Sequence, residues 1–162
     1  MTLEFDLHAA EALKAVFRNH LSGVAIVTSK LAGEPIGFTA TSVTSLGANP
    51  PLVNFNVSRG ASFYPALAPG EFVTIHTLTA QQQILAVRMA GDRTERFAAE
   101  DWVWGEDGLP IFPEASAILI AQIRQLVSIE NNAVVICDAL KAATLKAGRP
   151  LGYFQRDYVS PA

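Results

Sequence analysis

A run of short, hydroxyl-bearing side chains between Gly37 and Leu46 contains the residues best suited to hold a ligand. Side chains of this size let a large planar molecule approach the backbone while N–H and O–H groups donate to its polar edge. Threonine also favours strands, so the same composition is typical of a solvated face of a β-sheet. The residues alone leave both interpretations open. The candidate ligand contacts in this run are Thr39, Ala40, Thr41, Ser42 and Ser45.

The chain lacks the motifs of several common catalytic and binding sites. Its 11 glycines never form G-x-G-x-x-G, and no Gly-Lys-Ser/Thr phosphate loop is present. His8, His20 and His76 stand at no metal-ligand spacing and Cys137 is the only cysteine, so no zinc site is predicted. No G-x-S-x-G elbow indicates a hydrolase. Because no activated nucleophile or acid–base pair stands out, the sequence favours a reaction whose chemistry a cofactor supplies.

The elements that must position the hydroxyl-rich run are predicted to be mostly strands. Apolar residues from Leu7 to Leu21 recur at three- and four-residue steps and predict an N-terminal helix, with Asp6 as its N-cap. The rest of the chain alternates short apolar runs with turn residues. Strands are predicted at residues 24–28, 36–38, 52–57, 72–78, 117–129, 133–142 and 151–154.

Two short helices and one long loop are predicted between these strands. Ser62 is expected to cap a helix over residues 63–68, and residues 79–82 form a capping box that opens a helix ending near Met89. Glycines and prolines make residues 95–114 a loop-rich segment. Many short strands with few helices and no βαβα alternation predict a mainly β fold, an antiparallel barrel with inserted helices.

Composition limits the class of protein. The 162 residues are expected to form one domain, 1–162, and 12 basic against 15 acidic side chains give a net charge of −3. That charge argues against a protein that binds nucleic acid. No run of 18 apolar residues and no N-terminal signal region are present, so neither a membrane span nor export is expected. A single cysteine suits the reducing cytoplasm. The apolar share of 50% allows a surface buried in a homodimer.

Several short motifs occur in an order that characterises a known family. G-x-T-A-T-S-x-T-S followed by P-P-L-V occupies residues 37–53, and S-R-x-x-S followed by P-A-L occupies residues 58–67. Gly91-Asp92-Arg93 leads to Arg96-Phe97, and P-L-x-Y closes the series before Tyr158. Together these motifs resemble the flavin reductase-like family with the FMN-binding split barrel, a Greek-key type of antiparallel barrel.

The resemblance implies an activity and a set of partners. It implies an oxidoreductase that transfers a hydride from NADH or NADPH to FMN or FAD. It also implies that the reduced flavin is supplied to a partner monooxygenase. Stacking and alignment of the two rings would suffice for this reaction, with little proton transfer by the protein.

The resemblance also implies roles for particular residues. Phe38, Ser45 and the run from Thr39 to Ser42 would line the isoalloxazine ring and ribityl chain. Ser58, Arg59 and Ser62 would bind the phosphate, aided by the dipole of the helix predicted after Ser62. Phe97, with Arg93 and Arg96 beside it, would close the pocket, and Tyr153 would flank the ring at a dimer boundary. The residues alone also allow a solvated cation at Arg59, a plain helix cap at Ser62 and core packing for both aromatic side chains.

Asn132 is the main departure from the family pattern. Many relatives have a Gly-Asp-His turn whose histidine faces the nicotinamide, whereas this chain has Glu130-Asn131-Asn132. Asparagine can hydrogen-bond a carboxamide but cannot carry a proton at neutral pH. The alternatives are therefore a flavin-binding or carrier protein without turnover, or a dimeric module for another planar ligand. His76 stands near a flavin-contacting asparagine of many relatives, although a buried histidine with a satisfied ring is the other interpretation.

Overall fold

The computed structural model describes residue 5, residues 8–144 and residues 147–161. Asp6 and Leu7, which were predicted to begin the N-terminal helix, therefore lie outside the described residues. The described helices are α1 (Ala9–Arg18) and α2 (Gln83–Ala90). The described strands are β1 (Ser22–Gly23), β2 (Ala25–Leu31), β3 (Glu34–Ala40), β4 (Thr44–Ala48), β5 (Pro51–Ser58), β6 (Phe72–Thr77), β7 (Val103–Trp104), β8 (Pro110–Ile111), β9 (Ala117–Ile129), β10 (Asn132–Thr144), β11 (Gly152–Phe154) and β12 (Asp157–Val159).

The main element is a seven-stranded antiparallel sheet in the order β3-β2-β6-β9-β10-β5-β4. Its two edge strands, β3 and β4, are consecutive in the chain and joined only by residues 41–43. The four Cα–Cα steps from Ala40 to Thr44 span at most about 14 Å. A flat sheet of seven strands would separate its edges by about 29 Å. The sheet must therefore curl until its two edges approach each other.

The mainly β prediction is confirmed, but the predicted barrel is not closed by hydrogen bonds. Within the described residues, β3 pairs only with β2 and β4 pairs only with β5, so no ladder joins the two edges. The covalent link at residues 41–43 takes the place of that ladder. The prediction of an antiparallel barrel is thus confirmed only as a mainly β, antiparallel sheet that curls, because spacing along the chain says nothing about which edges pair.

Strand β2 separates two apolar cores because its side chains are buried on both faces. Val27 belongs to the core inside the curved sheet, which also contains Phe55 and Val135. Ile26, on the opposite face, belongs to a second core shared with Met89 of α2 and with Phe112. The continuous apolar run of β2 thus reflects burial on two sides rather than a transmembrane or helical segment.

Helix α2 follows directly on a 3₁₀ turn, Ala80–Gln82, that has a capping box, and α2 packs on β3. The side-chain oxygen of Gln82 accepts a hydrogen bond from the backbone N–H of Thr79 at 2.9 Å, which confirms the predicted capping box. Glycine at position 37 suits this close approach, since a Cβ there would lie 3.0 Å from the carbonyl oxygen of Val27 and 2.7 Å from Cε of Met89. The hydroxyl-rich run therefore begins on a strand that α2 covers.

Two local predictions were wrong. The helix predicted over residues 63–68 is a single 3₁₀ turn, Tyr64–Ala66, whose N-cap is Phe63 with no side-chain cap. Pro65 lacks an N–H donor, and a segment this short cannot complete an α-helix. Ser62 is therefore not a helix cap, and no helix dipole supports a phosphate there. Strand β4 was missed, because its five exposed residues carry no apolar alternation.

The C-terminal end of helix α1 contacts a small sheet of order β1-β11-β12. The turn after β11 is bound to the end of α1, since the N–H of Gln155 donates to the carbonyl of Arg18 at 3.0 Å. None of the residues of α1 is buried, and even its apolar side chains are exposed, Leu13 to 60% and Val16 to 64%. The apolar periodicity that predicted the helix is real, but its apolar face is uncovered in the isolated chain. Neither of the described helices has the length and apolar character needed to cross a membrane.

Candidate functional site

A cleft of about 530 Å³ runs along α1, the β4–β5 edge of the main sheet and the turn after β11. We call it the α1 cleft. Its volume suits one cofactor-sized ligand. Of the predicted contacts, Thr41, Ser42 and Tyr153 line it. The full lining comprises Lys14, Phe17, Arg18, His20, Ser22, Thr41, Ser42, Thr44, Asn54, Asn56, Tyr153, Gln155 and Arg156.

Ser42 fixes the three-residue link between the sheet edges. Its hydroxyl accepts a hydrogen bond from the backbone N–H of Asn56 at 2.9 Å and lies 3.4 Å from the carbonyl oxygen of the same residue. The link is thereby attached to β5, directly beside the first pair of the β4–β5 ladder, Thr44 with Asn54. Thr41 and Ser42 of the link line the cleft, whereas Val43 packs against the core of the curved sheet.

Asn54 and Asn56 also line the cleft, although neither was predicted from the sequence. Val53, Phe55 and Val57 alternate with them and are buried in the core of the curved sheet. Because side chains on a strand alternate between faces, both amides must share the outer face. The signal was present as two asparagines two residues apart in a strand next to the hydroxyl-rich run.

Ser58 and Asn132 lie beyond the cleft, along the same face of the sheet. Ser58 is two residues after Asn56 on β5, which places it about 7 Å further along that face. Asn132 is its partner across the β5–β10 ladder. The predicted phosphate contact and the residue at the usual histidine position are therefore neighbours, although neither lines the cleft itself.

Arg59 binds the hairpin turn between β9 and β10. Its backbone N–H donates to the carbonyl of Asn131 at 2.9 Å, and Nη1 donates to the carbonyl of Glu130 at 3.0 Å. The guanidinium lies 6.0 Å from the ring centre of Tyr64, within the range of a cation–π contact. A guanidinium has five N–H donors, so further donors remain beside Ser58 and Asn132.

Three of the predicted contacts on β3 are used by the core. Phe38 packs against the rings of Phe55 and Phe63, with ring centroids 6.1 Å and 4.8 Å away. Ala40 is buried in the same core. The hydroxyl of Thr39 donates to the carbonyl of Ala86 in α2 at 2.6 Å. These residues support the strand that leads into the cleft and do not line it.

Ser45, Ser62 and Phe97 also lie apart from the cleft. Ser45 is exposed on β4, at a register shift opposite β5. The hydroxyl of Ser62 lies 3.5 Å from Nη1 of Arg96, whose guanidinium donates to the carbonyls of Gly37 and Gly91. Phe97 packs against the second core, with its ring centroid 5.2 Å from that of Trp102. The structure thus divides the predicted site into the cleft, the Ser58–Asn132 corner and a set of supporting residues.

His76 is a structural residue rather than a ligand contact. It is fully buried, Nδ1–H donates to the carbonyl of Ile26 at 3.1 Å, and Nε2 accepts from the N–H of Phe112 at 3.2 Å. Burial lowers the pKa of the imidazole to about 4, with the Ile26 contact opposing that shift. The interpretation as a histidine with a satisfied ring is confirmed. Elsewhere in the described part of the chain, no group of three or more His, Cys, Asp or Glu side chains is arranged to hold a metal ion.

Comparisons with known proteins agree on one family. A sequence profile described as "Flavin reductase like domain" matches residues 17–162. The NADH:FMN oxidoreductase of Rhodococcus qingshengii is 33% identical over 153 residues, which cover 91% of this chain and 80% of that protein. The crystal structure of a flavin reductase domain protein from Arthrobacter sp. FB24 superposes with a TM-score of 0.91 at 38% identity, covering 95% of this chain and 96% of that one.

A further solved structure carries pieces of both nucleotides. The NADH:FAD oxidoreductase SgcE6 of Streptomyces globisporus C-1027, in complex with NAD and FAD fragments, is similar with a TM-score of 0.85 at 28% identity. That similarity covers 94% of this chain and 93% of SgcE6. The resemblance read from the short motifs is thereby confirmed, and the chain belongs to the flavin reductase-like family.

Proposed function

We propose that this protein transfers a hydride from NADH or NADPH to FMN or FAD, and that the α1 cleft holds the flavin. The observation that carries the proposal is the cleft itself, in which the backbone link at residues 41–43 and the amides of Asn54 and Asn56 meet on one wall. When bound, the flavin supplies the hydride acceptor, and the chain supplies binding, orientation and charge.

The donor set of the cleft fits a flavin. Hydroxyl and amide groups of Thr41, Ser42, Asn54 and Asn56 offer both donors and acceptors, which suits the alternating carbonyls and ring nitrogens at the edge of an isoalloxazine. Tyr153, half-buried in the same cleft, offers an aromatic face to a planar ring. The proposed site thus has polar groups for the edge of the ring and an aromatic side chain for its face.

The Ser58–Asn132 corner is the proposed site of the flavin phosphate. Ser58 and Arg59 supply a hydroxyl and a fixed guanidinium about 7 Å beyond Asn56 along the sheet. Asn132, next to Ser58, offers a side-chain amide to the same corner and cannot exchange a proton there. Tyr153 completes the proposed flavin surroundings, and Phe38, Thr39 and Ala40 act through the shape of β3. Ser45, Ser62 and Phe97, which lie apart from the cleft, have no direct contact with the flavin in this proposal.

We also propose that the protein forms a homodimer. We further propose that the curved sheet corresponds to the split barrel of the family. The apolar face of α1 supports this, because Leu13 and Val16 stay more than half exposed on a helix with no buried residue. A cleft with an exposed aromatic wall lets a reduced flavin leave, which suits delivery to a partner monooxygenase. The single cysteine, Cys137, supports the cytoplasmic address.

A flavin-binding or carrier protein without turnover is the second candidate. It is favoured by one observation, namely that Asn132 occupies the position beside Ser58 where many relatives have a histidine. A carrier would bind flavin in the same cleft, but NADH would not reduce it. Both candidates therefore predict that the protein binds flavin, but only the reductase predicts that NADH reduces the bound flavin.

The binding site is tested by replacing one amide of its wall. Asn54→Leu removes a side-chain donor and acceptor while keeping a similar volume, so we expect the Kd for FMN to rise about two- to tenfold. Gln83→Leu, the same kind of change on an exposed residue of α2, is the control and should leave the Kd unchanged. Equal affinities for Asn54→Leu and the parent protein would remove the α1 cleft from the proposal. Quenching of flavin fluorescence measures both.

A further inference from the structure

Three cations line the α1 cleft with no acidic side chain among its lining residues. Lys14 and Arg18 are four residues apart, on one face of α1, and Arg156 lies in the turn between β11 and β12. We call these three side chains the basic rim. The whole chain has a net charge of −3, so a cleft whose charged residues are all basic is a local reversal. Such a concentration of one sign attracts an anionic ligand.

The basic rim is not neutralised by neighbouring carboxylates. Across the residues the structure describes, the ion pairs link Arg88 to Asp101, Arg124 to Asp138 and Lys141 to Asp107. No such pair within those residues includes Lys14, Arg18 or Arg156. The three cations in the cleft therefore have their charge available for a ligand.

The turn that carries Arg156 has an unfavourable backbone conformation. Gln155 and Arg156 both have left-handed φ angles, 50° and 66°, at the two central positions of a two-residue hairpin where asparagine and glycine are preferred. The turn is fixed against α1, because the side-chain amide of Gln155 donates to Oδ1 of Asn19 at 3.1 Å. Strained backbone that its surroundings keep in place is concentrated at ligand-binding positions. Here it places Arg156 on the same cleft as Arg18.

Phe17 lies between the two cations of the helix. Its side chain is 61% exposed, even though its ring makes an edge-to-face contact with the ring of His20, with the centroids 5.6 Å apart. An exposed ring next to cations provides a stacking surface for a base and charges for its phosphates. The proposed site of the FMN phosphate, at Ser58 and Arg59, is a separate place on the sheet. The basic rim is therefore free for a second set of phosphates.

We infer that Lys14, Arg18 and Arg156, with Phe17, form a subsite for the adenosine diphosphate group that NAD(P)H and FAD have in common. This inference rests on the proposed function, since it assigns the dinucleotide part of its substrates. The cations bind the diphosphate, and Phe17 stacks on the adenine. FMN lacks this group, so the subsite binds NAD(P)H or FAD and does not contribute to the binding of FMN.

The test measures binding of ADP alone by isothermal titration calorimetry. Single Lys14→Ala, Arg18→Ala and Arg156→Ala substitutions are each expected to weaken ADP binding about tenfold, while the Kd for FMN changes less than about twofold. Lys30→Ala removes a cation that lines a different groove and should change neither. Arg156→Gly should weaken ADP binding while keeping or raising the melting temperature, because glycine adopts the left-handed conformation without cost. If Arg156 had a purely structural role, ADP affinity and the melting temperature would change together.

Two further measurements identify which dinucleotide uses the subsite. With FMN as acceptor, a raised KM for NADH in the rim variants assigns it to the nicotinamide nucleotide. A fall in affinity for FAD relative to FMN assigns it to the flavin. ADP binding that is absent from the parent protein, or unchanged in the rim variants, overturns the inference, as does an equal loss for FMN and ADP. Failure of the parent protein to bind FMN at all would instead contradict the proposed function.

Discussion

Replacing His76 by glutamine should remove a large part of the acid sensitivity of the fold. The buried imidazole is neutral, with Nδ1–H donating to the Ile26 carbonyl and Nε2 accepting from the Phe112 N–H. Protonation at Nε2 would place a second N–H against the backbone N–H of Phe112. Burial therefore lowers the pKa of His76 from 6.5 to about 4.

The sign and size of the effect follow from that shift. Above pH 6.5 the imidazole is neutral in both the folded and the unfolded chain, so its contribution to stability is fully present. As the pH falls from 6.5 toward 4, the unfolded chain takes up a proton that the folded chain does not. The free energy of unfolding then falls by about 3 kcal/mol. Below pH 4 both states carry the proton and the loss levels off.

His76→Gln isolates this contribution from the other titrating groups. The glutamine amide can donate to one backbone group and accept from the other, yet it does not titrate. Urea unfolding followed by tryptophan fluorescence, above pH 6.5 and near pH 4, gives the free energy of unfolding of both proteins. We expect the parent protein to lose about 3 kcal/mol more than the variant over this range. Parallel pH profiles for the two proteins would refute the buried neutral histidine.

Three further predictions concern the proposed site and its surroundings. Arg59→Ala should weaken FMN binding about tenfold or more but riboflavin binding little, because only FMN has the phosphate; equal losses in a fluorescence titration would exclude Arg59 from that site. Asn132→His should change the kcat of NADH oxidation by less than about twofold, because hydride transfer depends on stacking and alignment rather than on a proton from the protein, and a tenfold rise would contradict this. Cys137 should resist a thiol reagent until the protein unfolds, because burial, with a smaller effect of Asp138, raises the pKa of its thiol to about 12. Rapid labelling of the native protein would contradict this.

Much of the sheet could be predicted because its strands carry strong local signals. Strand β9 has the predicted bounds, Ala117–Ile129, since its long apolar segment ends at a turn of polar residues. The capping box at Thr79–Gln82 likewise depends on residues three apart and was read correctly. Such features are encoded within a few residues of one another, so they need no knowledge of the tertiary fold.

The parts that were missed depend on contacts between distant segments. Strand β4 is a strand because its edge pairs with β5, and its own side chains are exposed and uninformative. The curling of the sheet follows from the short link between its edges, which no periodicity reveals. Ser62 was expected to cap a helix that Pro65 reduces to one 3₁₀ turn.

The candidate site was predicted in part for the same reason. Thr41 and Ser42 were found from their chemistry and their family motif, and both line the α1 cleft. Lys14, Arg18 and Arg156 come from opposite ends of the chain, and only the fold brings them to one surface. Asn54 and Asn56 were accessible to the sequence, since strand alternation assigns them to the outer face.

The absorption spectrum of the protein with bound flavin, before and after addition of NADH without oxygen, tests the central claim most directly. We expect the flavin to bind, and its visible absorbance to disappear at a rate well above that of free flavin with NADH. A control with the Asn54→Leu variant should show the same change at lower flavin occupancy. Bound flavin that keeps its colour would indicate the carrier, and a protein that leaves the flavin spectrum unchanged at every concentration would contradict the account.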